Sequence, residues 1–284
     1  VLPGEPEHPM SLEEFRLIRD LINEYCGIHF ADDLKYVVHR RLAPRLDELA
    51  LQSFAEYHRY LRYDPGRKAE YEAIVERITT NETYFFREAY QLDAFRDEIL
   101  PELARRRRNG PRRLTVWSAG CASGEEAYTI AILVAESGLF APSEVHIFGN
   151  DISRRVLALA RKGVYGRSSF RQTDERYLRR FFRETPGGYQ VRDEIRAMVS
   201  FGQINLVDRD GLALLPEVDA IFCRNVLIYF DVESRKRAIA TFFSKLGPGG
   251  YLLLGHSESL MNLSTAFELC HLKNDLVYRK PEAR

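Results

Sequence analysis

The chain has 284 residues, of which 45% are hydrophobic, and its 41 lysines and arginines balance 41 aspartates and glutamates. Such a length buries a large core, in one big domain or two unequal ones, and a formally neutral total argues against general nucleic-acid binding. Cys26, Cys121, Cys223 and Cys270 form no C-x-x-C pair, which argues against a zinc ribbon or a disulfide framework and suits reduced, cytoplasmic thiols. No metal is expected. No apolar run approaches the ~20 residues of a membrane helix and no signal-peptide pattern opens the chain, so a cytoplasmic protein without membrane insertion is expected.

The proline- and glutamate-rich residues before Met10 read as a tail outside the fold. From Ser11 to Thr80 the pattern is helical. Ser11 and Glu14 suggest a capping box ahead of Phe15, Ile18, Leu21, Ile22 and Tyr25. A second helix follows Asp32 and Asp33, with Leu34, Val37, Val38, Leu42 and Leu46 as its apolar stripe. A third starts at Ser53 and a fourth spans 69–78. This predicts an all-α domain over 10–80. Its second helix carries Lys35, His39, Arg40, Arg41 and Arg45, either a solvated face or a docking surface for an acidic partner.

The segment Thr79-Thr80-Asn81-Glu82-Thr83-Tyr84-Phe85-Phe86-Arg87-Glu88 fits neither a clean amphipathic helix nor a strand. Its aromatic residues read as the wall of a small-molecule pocket or as core. A helix through Phe95, Ile99 and Leu103 follows. The basic run Arg105 to Arg108 reads as a linker or an exposed helix end, so 81–113 is a connecting segment.

Leu114 to Tyr128 then spells a β-branched strand, a small-residue turn and a helix, the opening unit of a nucleotide-binding α/β sheet. Ala119, Gly120, Ala122, Ser123 and Gly124 let a ligand approach the backbone and the amides of the helix start. The turn lacks both the G-x-G-x-x-G spacing and a Walker lysine, and Glu125 and Glu126 would repel a phosphate. A ligand with hydroxyls and a positive centre, such as S-adenosylmethionine (SAM), fits better. Val145 to Asp151 is a second strand, ending in an acid suited either to ribose hydroxyls or to capping the next helix. Residues 163–202 break the alternation and read as a small inserted β-subdomain. A strand at 199–204 and a buried run over 218–230 resume the sheet, the second ending at polar residues where such sheets bind ligands, with Arg224, Asn225 and Tyr229 placed to face one. A helix over 233–246, a strand from Tyr251 and a terminal antiparallel pair complete the chain.

Taken together, T-T-N-E-T-Y-F-F-R-E at 79–88, W-S-A-G-C-A-S-G-E-E at 117–126, N-D-I at 150–152, F-C-R-N-V-L-I-Y-F at 222–230 and G-H-S-E at 255–258 resemble the CheR family. Its members are chemotaxis receptor methyltransferases that transfer a methyl group from SAM to receptor glutamates. The likeness runs from Ser11 to the C-terminus. It implies a class I SAM-dependent methyltransferase: α/β, Rossmann-like, with a seven-stranded mixed sheet over 114–284, an N-terminal all-α domain and an inserted β-subdomain. It implies S-adenosylhomocysteine (SAH) as product and no metal.

By the same resemblance Asn81, Thr83, Arg87 and Gly120 line the cofactor site. Glu126 and Asp151 share the amino-acid end and the ribose, Asn205 and Leu206 border the adenine, and Arg224 and Asn225 close the site. Arg87 and Tyr229 correspond to the catalytic pair nearest the methyl group. Lys35, Arg40, Arg41 and Arg45 correspond to the face that docks on the helical bundle of the receptor, and a monomer recruited to membrane-bound receptor arrays is expected. Family members that tether to a receptor's C-terminal peptide have a longer loop where Thr185-Pro186-Gly187-Gly188-Tyr189 stands here, so a tether-independent enzyme is expected. The N-P-P-Y motif of many amino-group methyltransferases is missing. Methylation of another acceptor, a non-catalytic SAM-binding scaffold and a nicotinamide oxidoreductase are the competing readings.

Overall fold

The computed structural model describes residues 8–107 and 112–282. The described residues form two compact units, one of 8–80 with 229–235, the other of 81–107, 112–228 and 236–282.

The first unit is helical: α1 (Leu12–Cys26), α2 (Lys35–Glu48), α3 (Phe54–Tyr63) and α4 (Arg67–Ile78). The capping box forms, with Glu14 N donating to Ser11 Oγ and Ser11 N to Glu14 Oε2, and Gly27 ends α1 in the left-handed conformation (φ 77°) that a non-glycine residue resists. Phe15, Ile18, Leu42, Leu46, Phe54 and Tyr57 are fully buried. Leu34, expected in the buried stripe of α2, sits in the 3₁₀ turn before that helix and is exposed. The tail is docked from His8 onward, where the His8 ring lies 2.7 Å from Asp47 and Met10 is buried; residues 1–7 lie outside the described ones.

The second unit is built on a seven-stranded sheet. Its strands are β1 (Leu114–Ala119), β2 (Val145–Asp151), β6 (Val199–Gln203), β7 (Val218–Cys223), β8 (Leu246–Leu254), β9 (Glu268–His271) and β10 (Leu276–Arg279), in the order β6-β2-β1-β7-β8-β10-β9. The pairings from β6 through β8 are parallel and those of β10 are antiparallel. All side chains of β1 and β7 are buried, as parallel strands covered on both faces require. The chain reverses its direction of travel across the sheet at β1, so the crevice at the C-terminal ends of β1, β2 and β7 is the place for a ligand.

The helices of this unit are α5 (Ala89–Ala94), α6 (Leu100–Arg106), α7 (Glu125–Ser137), α8 (Arg154–Lys162), α9 (Glu175–Phe181), α10 (Asp193–Arg196), α11 (Arg209–Ala213) and α12 (Val232–Lys245), whose first turn belongs to the helical unit. The helix expected through Phe95, Ile99 and Leu103 forms without a break over α5 and α6, with a π-helical segment, Phe95–Ile99, inside it. Pro101, with no N–H to donate, follows this irregularity. The basic run is the exposed end of α6, at Arg105 and Arg106, tied down where Arg106 donates to Gly249 O at 3.0 Å and Arg107 pairs with Asp219; Arg108 lies outside the described residues. Between α8 and β6 a separate antiparallel sheet, β3 (Val164–Tyr165), β5 (Gly188–Val191) and β4 (Phe182–Thr185), forms the insertion. Strand Val199–Gln203, at the end of the segment 163–202, pairs with β2 in the large sheet.

Candidate active site

The turn after β1 is shaped by what cannot fit there. Gly120 (φ 79°) and Gly124 (φ 93°) are left-handed, and a Cβ on Gly120 would lie 2.5 Å from Val226 Cγ2. Ala122 shares the left-handed region (φ 46°). The amides of Gly120 and Cys121 donate to Asn150 O at 2.9 and 2.8 Å, which ties the turn to the end of β2. Asn150 also accepts from Trp117 Nε1 (2.6 Å) and donates to Ile204 O (2.9 Å), so one buried amide joins β1, β2 and the segment after β6.

Asp151 receives Ala122 N on one carboxylate oxygen and Ser153 N on the other, both at 2.9 Å. It therefore fixes the glycine turn from the strand end. The N-cap of α8 is Ser153, whose hydroxyl accepts from Val156 N, so the capping role open to Asp151 is filled two residues later. Asn205 Oδ1 accepts from Val207 N, Leu206 is buried beside it, and Ile204 N donates to Asp151 O. These contacts bring Asp151, Asn205 and Leu206 together at the ends of β2 and β6.

A second group gathers at the ends of β1 and β7. Arg224, with a side chain only 3% exposed, lies between Glu88 (Nη2 to Oε2, 3.2 Å) and Glu126 (Nη1 to Oε2, 3.4 Å). Its Nη2 also donates to Arg87 O at 2.5 Å, and Asn225 Nδ2 donates to Glu88 Oε1 at 3.4 Å. Ser118 Oγ donates to Glu126 Oε1 at 2.7 Å. Burial raises the Glu126 carboxyl above the ordinary range despite Arg224 and Ser118. Burial also acts to raise Glu88, but the Arg224 charge and the hydrogen bonds from Arg224 and Asn225 outweigh it and hold that carboxyl low. Neighbouring Glu125 is buried, has no ion pair among the described residues, and accepts from Ser123 Oγ and Ser169 Oγ; its carboxyl is raised by burial.

Two buried polar atoms of this group have no partner: Arg224 Nε, a donor, and Asn225 Oδ1, an acceptor. Orphaned buried polar atoms are rare and costly. Together with the Glu126 carboxylate they match the amino-acid end of SAM, whose carboxylate accepts and whose ammonium donates. The residues present fit the cofactor.

Asn81, Thr83 and Arg87 precede Glu88 on one half-buried segment. Arg87 donates to Glu82 O and lies over the Tyr84 ring at 5.7 Å. Phe86 (φ 59°) and Glu88 (φ 54°) are non-glycine residues in the left-handed region, strain of the kind held at functional sites. The two phenylalanines settle into the core. Phe85 packs on Tyr165, Phe170 and Phe182, and Phe86 on Tyr177. Tyr229 belongs to the helical unit, where its carbonyl accepts from His29 N.

The basic residues of α2 separate by environment. Arg45 is spent internally on Glu70 and Glu48, Lys35 donates to Met10 O at 2.7 Å and Arg41 to Ile78 O. Arg40 is exposed and has no ion pair among the described residues. Two site carboxylates escaped sequence reasoning. Glu88 and Glu258 stood in the recognised motifs F-F-R-E and G-H-S-E, but nothing in spacing alone shows that both bond Asn225, just beyond the end of β7.

The sheet order and this polar group define a class I SAM-dependent methyltransferase. The family comparison is specific: residues 13–79 match the family model described as CheR methyltransferase, all-alpha domain, and residues 81–276 that described as CheR methyltransferase, SAM binding domain. The chain is 36% identical over 270 residues to chemotaxis protein methyltransferase 2 of Vibrio cholerae, covering 94% of this chain and 93% of that one. It is 38% identical to chemotaxis protein methyltransferase 2 of Pseudomonas aeruginosa (92% and 91% covered) and 38% identical to the chemotaxis protein methyltransferase of Salmonella typhimurium (92% and 88%). The chain belongs to the CheR methyltransferase family, and SAM is its methyl donor. Among the described residues no cluster could hold a metal ion, and no helix is long and apolar enough to cross a membrane.

Proposed function

We propose that this enzyme methylates glutamate side chains of bacterial chemoreceptors, giving glutamate 5-O-methyl esters and SAH, and so serves adaptation in chemotaxis or a related chemosensory pathway. The observation that carries this reading is the 34–38% identity, over more than nine-tenths of the chain, to proteins named chemotaxis protein methyltransferases. The chemistry is consistent with it. A glutamate side chain, with a reference pKa of about 4.3, is already ionised at neutral pH, so the nucleophile needs no general base. Bound SAM supplies an electrophilic methyl on a sulfonium. What the protein must supply is alignment of a carboxylate oxygen opposite the sulfur. We assign Arg87 to orienting the acceptor carboxylate and Tyr229 to hydrogen bonding near the reacting centre. A firm ion pair to the acceptor would stabilise a charge that disappears in the transition state, so Arg87 positions rather than clamps.

Asn81, Thr83, Gly120, Glu126, Asp151, Asn205, Leu206, Arg224 and Asn225 form the cofactor site in this reading. Arg40, exposed on α2, is the residue of the basic run left to meet the receptor's helical bundle, with Lys35, Arg41 and Arg45 shaping the face from within. The compact turn between β4 and β5 supports direct action by a monomer on the bundle at the receptor array, without peptide tethering.

The test is transfer of labelled methyl from SAM to chemoreceptor cytoplasmic fragments, followed by alkaline release of methanol. Base-labile label that falls by about 10²-fold in Arg87→Ala is expected. SAH binding without labelling across a broad receptor panel would reassign the acceptor.

A further inference from the structure

We infer that Glu258 is a positioning residue for the cofactor site: its carboxylate sets the backbone that carries Arg224 and Asn225. The inference rests on the assignment of those two residues to SAM.

β7 and β8 run parallel and end at Cys223 and Leu254. Just beyond them, the Glu258 carboxylate joins the two exits. Its Oε2 accepts from Gly255 N at 2.7 Å and Asn225 N at 2.8 Å, and its Oε1 from Val226 N at 2.9 Å and Ile228 N at 3.2 Å. Several backbone donors on a single carboxylate make charge-assisted bonds, stronger than neutral ones. Asn225 is left-handed (φ 59°), a conformation that costs a non-glycine residue energy and persists only where the surroundings dictate it.

There is no slack around this arrangement. A Cβ on Gly255 would lie 2.7 Å from Asn225 N and 2.8 Å from Glu258 Oε2. Val226, whose amide Glu258 holds, fills the space a Cβ on Gly120 would need, its Cγ2 2.5 Å from that position. Glu258 thereby fixes both the residue with the orphaned acceptor and the neighbour that packs under the glycine turn, without being one of the residues assigned to the ligand. The acceptor-only character of a carboxylate is essential to this role. A glutamine would turn an NH₂ group toward two backbone N–H donors and leave them unsatisfied.

The experiment is calorimetric titration of SAH into the full chain for the wild type, Glu258→Gln, Glu258→Asp and Asn225→Ala, with melting temperatures and the KM for SAM measured alongside kcat. Glu258→Gln is expected to weaken SAH at least about tenfold, because small misplacements of positioned groups cost on that scale. Glu258→Asp, which keeps the charge but withdraws it by one methylene, is expected to fall between, with KM for SAM rising more than kcat falls. A Glu258→Gln protein that melts lower yet binds SAH with native affinity, while Asn225→Ala weakens binding, would overturn the inference alone and leave a structural role. Native affinity in Asn225→Ala would remove the site assignment and this inference with it. Failure of both Glu258 variants to fold would also count against positioning.

Discussion

Two arginines, the half-buried Arg45 and the buried Arg224, show how similar chemistry can serve opposite ends. In the helical unit Arg45 pairs with Glu70, which is 3% exposed, through Nε at 3.0 Å and Nη2 at 2.5 Å; it also reaches Glu48, and Tyr57 OH donates to Glu70 at 2.6 Å. Every polar atom in that set has a partner, and burial, with Glu70 beside it, pushes the Tyr57 hydroxyl well above its usual range. In the sheet unit Arg224 also lies between two carboxylates, yet its Nε and the neighbouring Asn225 Oδ1 remain unpaired. A closed network spends all its hydrogen-bonding capacity on the fold. An open one holds capacity in reserve for a ligand, at a cost to the empty protein.

The largest effect should come from opening the second network entirely. Arg224→Met leaves Glu88 and Glu126 facing each other unpaired, and a broken buried pair costs about 3 kcal/mol or more. SAH affinity should fall by about 10²-fold, the order expected when a charged hydrogen-bond partner is lost. Urea denaturation and calorimetry check the two consequences. Glu70→Gln should do the first without the second. About 2–3 kcal/mol of stability is lost as Arg45, which keeps Glu48, gives up its charge-assisted bonds to Glu70, while SAH affinity stays native; a weakened affinity would dissolve the contrast between the networks.

The smallest effect concerns Glu125. Burial raises its carboxyl, so the folded state favours the protonated form. The stability this gives is full below the ordinary carboxylate range and is lost as pH rises through the raised value. Glu125→Gln stays neutral throughout and can still bond the Ser123 and Ser169 hydroxyls. Its melting temperature relative to wild type should therefore climb as pH rises from the ordinary glutamate range toward neutrality. Differential scanning fluorimetry across that range reads the trend, and parallel curves would mean that Glu125 does not titrate with folding.

Much of this was legible in the sequence, because it rests on local rules. The capping box at Ser11 and Glu14, the buried strand at Leu114–Ala119 and the glycine turn each follow from a few neighbouring residues. Where sequence reasoning stopped short, the missing information was long-range. Arg45 reads as a docking residue until Glu70, 25 positions later, is seen to neutralise it. Asp151 reads as a helix cap or ribose ligand, but it also bonds Ala122 N, 29 positions back, so its carboxylate already holds the glycine turn. Phe85 and Phe86 read as pocket wall or as core, and the rings that decide for core come from the insertion, far along the chain. Glu258 had no visible role because its partners are backbone amides of a turn whose left-handed residue, Asn225, no local pattern announces.

The central claim is that the unpaired atoms of the Arg224 network mark the SAM site, and a crystal structure of the protein with SAH tests it most directly. The account predicts that Arg224 Nε and Asn225 Oδ1 each gain a hydrogen bond to the amino-acid end of SAH or to a water bound to it, with the Arg45–Glu70–Tyr57 set unchanged. SAH bound at the ends of β1 and β2 with both atoms still unpaired would contradict it.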